Sequence, residues 1–219
     1  MKQDQVKEVR MASLRVERYV VGTVHTNCYF AVNEDTKETV VIDPGSNAKQ
    51  LIGRIEEENL KPAAILLTHG HFDHAGGAAE LAQRYDILVY AHEEEQKTLS
   101  DPAVNLSGWE GRERAYHADC FLRDGQELKL AGFQIRVLYT PGHTTGSCCL
   151  LFPYQKAVFS GDTLFARSVG RSDFPGGSAS TLIRSIKEKL MTLPEEITVY
   201  PGHDESTTIG TERMYNPYL

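Results

Sequence analysis

Thr68-His69-Gly70-His71-Phe72-Asp73-His74-Ala75-Gly76-Gly77 gathers four imidazole and carboxylate side chains into six positions. His69, His71, Asp73 and His74 stand at i, i+2, i+4 and i+5. A regular strand would carry the first three on one face and turn His74 to the other, and a helix would scatter them. The segment is therefore expected to be a loop wrapped around an ion. Imidazole and carboxylate donors together suit zinc, iron or manganese, and four such groups can serve two adjacent ions.

The sequence around this stretch reads as alternating strands and helices. Upstream, 14–21, 27–32 and 38–42 are β-rich, the last ending in the turn signal Asp43-Pro44-Gly45. Residues 48–58 carry Leu51, Ile52 and Ile55 among charges, the pattern of an amphipathic helix. The apolar run 63–67, a strand buried on both faces, leads directly into the histidines. A helix over 77–85 and a strand over 87–91 follow. This alternation predicts an α/β fold with parallel pairing in the first half. Residues 100–120 are irregular around Trp109, either an insert near the site or a surface connection. Beyond 121 the pattern turns mostly β (127–130, 133–139, 148–151, 157–160), followed by a helix over 178–190, a strand over 197–200 and a short helix over 207–214.

Three of these later strands end in a glycine followed by a candidate ligand: Pro141-Gly142-His143, Gly161-Asp162-Thr163 and Pro201-Gly202-His203. Each is weak alone, but strand ends are where α/β proteins place their sites. With the first cluster they make seven groups, enough for two ions sharing one carboxylate. His25, His92 and His117 lack such a setting and are expected to be ordinary exposed or hydrogen-bonded histidines.

The 219 residues are 41% hydrophobic, enough for a single domain with a substantial core. Residues 1–12 are expected to form a flexible N-terminal extension and 13–219 the domain. A formal charge of −7 argues against partners such as nucleic acid or an anionic membrane. The same field repels anionic substrates unless a local basic group offsets it. The N-terminus has no apolar leader, and Cys28, Cys120, Cys148 and Cys149 show no Cys-x-x-Cys spacing. Reduced thiols in a cytoplasmic protein are the expectation.

Taken together, Asp43-Pro44-Gly45, the His69–His74 motif and the three Gly-ligand turns resemble the metallo-β-lactamase-fold hydrolase superfamily. Within it the chain is similar to the small bacterial glyoxalase II-like (hydroxyacylglutathione hydrolase-like) thioester hydrolases, including its tail from Gly170 onward. The resemblance implies a four-layer αββα sandwich with a metal site at one edge of the two sheets. It implies that His69, His71 and His143 hold one divalent metal, that Asp73, His74 and His203 hold a second, and that Asp162 bridges them. The metals would be zinc, with iron or manganese also suited. Asp43 matches a position that orients ligands without touching metal, and Arg171 a basic position near the thiol-carrier pocket. The implied reaction is hydrolysis of a small-molecule thioester by a metal-bridging hydroxide, with Asp73 orienting the water.

Common metallo-β-lactamases carry cysteine where Asp162 stands and are secreted, so antibiotic hydrolysis is not expected. Full-length glyoxalase II continues for several helices past its last histidine, whereas here only Asp204 to Leu219 follow His203. Strong glutathione recognition of that kind is therefore not expected. Persulfide dioxygenase-like oxidoreductases share nearly the same ligand set but use a single iron, held by the equivalents of His69, His143 and Asp162. They are the alternative reading.

Overall fold

The computed structural model describes residues 12–219. The N-terminal extension expected at 1–12 lies outside the described residues except for Ala12. That residue packs against the core, and its carbonyl accepts a hydrogen bond from Gln155 Nε2 at 3.1 Å.

Two six-stranded sheets form the centre. The first runs in chain order: β1 (Leu14–Val21), β2 (Thr26–Asn33), β3 (Glu38–Ile42), β4 (Lys61–Leu66), β5 (Val89–His92) and β6 (Cys120–Leu122). Its first three strands are antiparallel, and β3 to β6 are parallel, as the strand–helix alternation predicts. The connections include α1 (Ala48–Glu57), α2 (Phe72–Ala75) and α3 (Ala78–Tyr85), then α4 (Gln96–Ser100) and α5 (Pro102–Asn105) between β5 and β6. The second half supplies β7 (Glu127–Leu130), β8 (Phe133–Tyr139), β9 (Cys148–Phe152), β10 (Ala157–Gly161), a small hairpin of β11 (Leu164–Phe165) and β12 (Ser168–Val169), α6 (Ala179–Ser185), β13 (Thr198–Pro201), β14 (Thr207–Thr208) and α7 (Ile209–Tyr215). Its sheet is ordered β14-β13-β10-β9-β8-β7.

The period-two alternation of strand side chains sorts the core into three apolar layers. In β2, Cys28, Phe30 and Val32 point toward Leu51 and Ile55 of α1 and Leu81 of α3, whereas Tyr29 and Ala31 face the second sheet. In β9 and β10, Leu150, Phe152 and Phe159 face the first sheet, whereas Leu151 and Val158 meet Leu182, Ile186 and Leu190 on the far side. Helix, sheet, sheet, helix is the result, the expected αββα sandwich. All eight residues of β2 and all five of β10 are buried, which explains their nearly continuous apolar runs.

Two expectations need refinement. The 69–74 segment is only half loop, because Phe72–Ala75 form one helical turn. The helix expected over 178–190 begins at Ala179, and its hydrogen bonding shifts to π type over Ile186–Leu190, with Leu182, Ile186 and Leu190 buried as one stripe.

The edge that carries the ligands is sealed by hydrogen bonds between the sheets. Asn27 N donates to Gly202 O at 2.7 Å, Tyr29 Oη to Pro201 O at 2.8 Å, and Cys148 N to Thr68 O at 2.9 Å. Among the described residues no helix is long and apolar enough to cross a membrane.

Phe159 sits at the centre of the inter-sheet layer, 5.3 Å from the rings of both Tyr29 and Phe152. Phe159→Ala should cost about 3–5 kcal/mol in urea unfolding of the metal-free protein. A loss below about 1 kcal/mol would contradict this packing.

Candidate metal centre

Each ligand candidate lies just past a strand end, where the chain leaves hydrogen-bonded order and can turn a side chain inward. His69 and His71 follow β4, and the α2 turn swings Asp73 and His74 back over them. His143 follows β8, Asp162 follows β10 and His203 follows β13. The two sheets end at the same edge, so four separate segments meet there.

They assemble into three overlapping sets with ligand atoms within 4.8 Å of one another: His69, His71 and His143; His69, His74 and Asp162; Asp73, His74 and His203. The structure thus brings together all seven residues singled out in the sequence. Asp162 lies between the first and last sets. Its Oδ1 is 3.3 Å from His74 Nε2, and its Oδ2 is 3.6 Å from His143 Nε2 and 3.5 Å from His203 Nε2. Asp73 Oδ2 is 3.4 Å from both His74 Nε2 and His203 Nε2. His25 and His117 are exposed, and His92 is buried against Tyr139 with rings stacked at 4.3 Å. None of the three joins the cluster.

Hydrogen bonds to the outer ring nitrogens decide which lone pairs face inward. His74 Nδ1 stands 2.9 Å from Asp43 Oδ2 and donates to it, leaving Nε2 toward the carboxylates. His143 Nδ1 donates to Arg171 O at 2.7 Å, so its Nε2 presents a lone pair 3.0 Å from His71 Nδ1. Asp43 is itself held by Thr68, whose N donates to Oδ1 at 2.8 Å and whose Oγ1 donates to Oδ2 at 2.6 Å. Asp43 thus links Thr68 to the His74 ring.

Burial and charge divide the cluster. Desolvation, helped by the neighbouring imidazoles, pushes His69 well down and His71 to about 3, so both stay neutral. Burial also disfavours charge on His74 and His203, but the carboxylates outweigh it. Asp73, Asp162 and Asp43 raise His74 well above its ordinary value, and Asp162 and Asp73 raise His203 to about 10. Burial alone would raise Asp73 and Asp162, yet His74 and His203 hold both well below the usual carboxylate range.

Four atoms of the cluster, His69 Nε2, His71 Nε2, His74 Nε2 and Asp162 Oδ1, are buried with no hydrogen-bond partner. Such atoms are rare in native proteins and point to an ion or a functional role. Imidazoles and carboxylates gathered this closely fit a divalent cation in donor type and charge. The cluster is therefore suited to hold a divalent cation.

Above it lies a cavity of about 190 Å³ whose walls include Val24, Phe72, Leu106, Trp109 and Phe174. Leu106 and Trp109 come from the irregular 100–120 segment, which therefore forms part of the site and is more than a surface connection. Arg171 also lines this cavity, but its guanidinium is taken up by Asp173, with Nε and Nη2 each 2.8 Å from a carboxylate oxygen. Its backbone carbonyl, which fixes His143, makes the closer contribution.

Besides the Thr68 hydroxyl, sequence reasoning missed two supports. Thr26 Oγ1 donates to Asp73 Oδ2 at 2.7 Å. Glu95, 1% exposed, accepts hydrogen bonds from Gly70 N and Gly146 N, both at 3.0 Å, and from Thr144 Oγ1. It thereby ties the His69–His71 loop to the His143 loop. Burial lifts its carboxyl to about 7 against those bonds. Neither residue has a spacing that marks it, because the partners are distant in sequence.

Asp43→Ala should weaken metal retention about 10- to 100-fold in competition with a chelator, since it frees the His74 ring. A Cβ at Gly202 would stand 2.2 Å from Asp162 Oδ1 and 2.6 Å from His74 Cε1, so Gly202→Ala should weaken retention as well. Unchanged affinity in both variants would contradict this arrangement.

The sequence pattern of the metallo-β-lactamase superfamily matches residues 21–203. The hydroxyacylglutathione hydrolase GloC of Haemophilus influenzae is 39% identical over 212 residues, covering 94% of this chain and 98% of that protein. The solved structure of BLEG-1 B3 metallo-β-lactamase superposes with a TM-score of 0.89 at 40% identity, covering 94% of this chain and 99% of that one. The structure of TTHA1623 in a di-iron-bound form superposes with a TM-score of 0.82 at 35% identity, covering 93% and 100%. With its fold, its cluster and the match over most of its length, the chain belongs to the metallo-β-lactamase superfamily.

Proposed function

We propose that the protein is a hydrolase of small-molecule thioesters that uses two divalent cations, zinc in the first instance, with iron or manganese able to replace it. The position of Asp162 carries this reading. Its Oδ2 lies near His143 Nε2 of the first trio and His203 Nε2 of the other, and its Oδ1 lies near His74 Nε2, so this carboxylate stands between the two trios and could serve a cation in each. His69, His71 and His143 would hold one cation, and Asp73, His74 and His203 the other. When bound, the pair would activate water and polarise an acyl carbonyl.

The chain's own residues do the rest. Thr26 and His203 fix Asp73 through Oδ2, which leaves Oδ1 to orient the attacking water. The apolar walls around Val24, Phe72 and Phe174 shield the acyl group from bulk solvent. Water adds to the carbonyl carbon, the C–S bond breaks, and a carboxylic acid and a thiol result. A thiolate leaves readily, which suits a site without a free acid beside the cluster. The likeness to GloC supports the thioester, while that to BLEG-1 supports a β-lactam as the acyl compound under the same attack. The four cysteines are free of disulfides, in keeping with a cytoplasmic setting.

Metal analysis of protein purified without added metal, joined to a panel of thioesters, a β-lactam and a persulfide, tests this. Two metals per chain and thioester turnover that disappears on chelation are expected. One iron with oxygen uptake on the persulfide would favour the oxidoreductase alternative instead. Asp162→Ala should lose one metal and lower turnover by at least about 100-fold; retention of both ions and full activity would refute the shared carboxylate.

Metal binding should also release protons. At pH 7.5 the metal-free protein carries protons on His74, raised by its carboxylates, and on His203, raised to about 10, whereas His69 and His71 are already neutral. Affinity should therefore rise with pH toward about 10. Calorimetry in buffers of different ionisation enthalpy should show proton release that falls in His203→Ala. No release in the parent protein would contradict the assignment.

A further inference from the structure

A second groove, of about 550 Å³, opens beside the metal cavity and is lined by Thr23, Val24, Phe72, Trp109, Arg112 and Arg114. Val24, Phe72 and Trp109 also line the metal cavity, so the two form one continuous depression. We propose that this groove holds the thiol carrier of the substrate, and that the carrier is anionic, with Arg112 and Arg114 meeting its carboxylates or phosphates. This rests on the thioester hydrolase reading above.

Charge is the first argument. The chain carries a net −7, which disfavours an anionic substrate unless a local basic group offsets it. Arg171, the basic residue singled out in the sequence, is engaged by Asp173. Arg18, Arg123 and Arg213 are likewise in ion pairs with glutamates. Among the described residues the Arg112 and Arg114 side chains make no ion pair, although both face the groove. Two unpaired guanidinium groups on one wall are suited to bind carboxylate or phosphate in bidentate fashion.

Construction is the second argument. The loop bearing Trp109 and both arginines is closed at its base by buried polar groups. Asn105, fully buried, donates through Nδ2 to Leu99 O at 3.1 Å and to Arg114 O at 2.8 Å. Ser107, 1% exposed, accepts from Arg114 N at 2.9 Å, and its Oγ donates to Arg114 O at 3.1 Å. Arg114 is thereby fixed at its backbone while its side chain extends to the groove. Trp109 packs edge-on against Phe174 at 5.2 Å, and Phe174 in turn against His71 at 5.8 Å, which connects the loop to the ligands. With a carbonyl at the metal site, the remainder of an extended carrier passes Val24 and Trp109 into this groove.

The test uses metal-loaded protein and acyl thioesters of three carriers: glutathione (carboxylates), coenzyme A (phosphates) and neutral N-acetylcysteamine. The Arg112→Gln/Arg114→Gln double variant should lower the ratio of kcat/KM for the preferred anionic carrier to that for the neutral one by about tenfold, chiefly through KM. Arg112→Lys/Arg114→Lys should recover part of it, and added salt should shrink the ratio in the parent. Which anionic carrier loses more identifies carboxylate or phosphate as the recognised group. Equal losses on all three carriers, or none, would overturn the proposal. Trp109 is the single tryptophan, so its fluorescence reports groove occupancy by the S-methyl forms of the same carriers without turnover. If no thioester is hydrolysed, the hydrolase reading fails, and this titration still decides the groove. Arginine-dependent binding of an anionic carrier supports it, and no binding refutes it.

Discussion

Buried polar atoms without partners govern this structure. Leaving a buried polar atom unsatisfied costs about 1–3 kcal/mol, and four such atoms lie at one edge of the sandwich: His69 Nε2, His71 Nε2, His74 Nε2 and Asp162 Oδ1. Two carboxylates, Asp73 and Asp162, face the same point and hold protons on His74 and His203 in the absence of metal. A divalent cation would relieve both burdens, giving partners to the donor atoms it reaches and replacing the protons as counter-charge. The edge is therefore destabilised alone and stabilised when loaded, as expected where binding free energy adds to folding free energy.

Much of the surrounding architecture resists the tendency of such an edge to relax. The inter-sheet bonds at Asn27, Tyr29 and Cys148 prevent the two sheets from spreading where the ligands meet. Asp43 fixes the His74 ring, the Arg171 carbonyl fixes His143, and Glu95 ties the two histidine loops together. A buried carboxylate such as Glu95 is expensive to keep, and its hydrogen bonds to Gly70 and Gly146 show what it secures. The apolar layers on either side of each sheet provide the rigidity that holds these groups in register.

The clustered residues were legible in the sequence because each follows a strand whose apolar run is unmistakable, and because Gly142, Gly161 and Gly202 each stand directly before one. The sandwich was legible from the alternation within β2, β9 and β10. The helical turn at α2 was hidden, since a single turn is too short to show a period and its residues are chosen for chemistry. Thr26, Glu95 and the Thr68 hydroxyl were hidden for another reason: their partners lie 47, 25 and 25 residues away, so only the folded chain reveals them. The role of 100–120 depended on where Leu106 and Trp109 land, which no local pattern encodes.

A crystal structure of zinc-loaded protein, with anomalous data collected on both sides of the zinc edge, tests the central claim most directly. Two peaks are expected, one among His69, His71 and His143 and one among Asp73, His74 and His203, with Asp162 contacting both. A single peak with Asp162 on one ion alone, or peaks away from these residues, would contradict it.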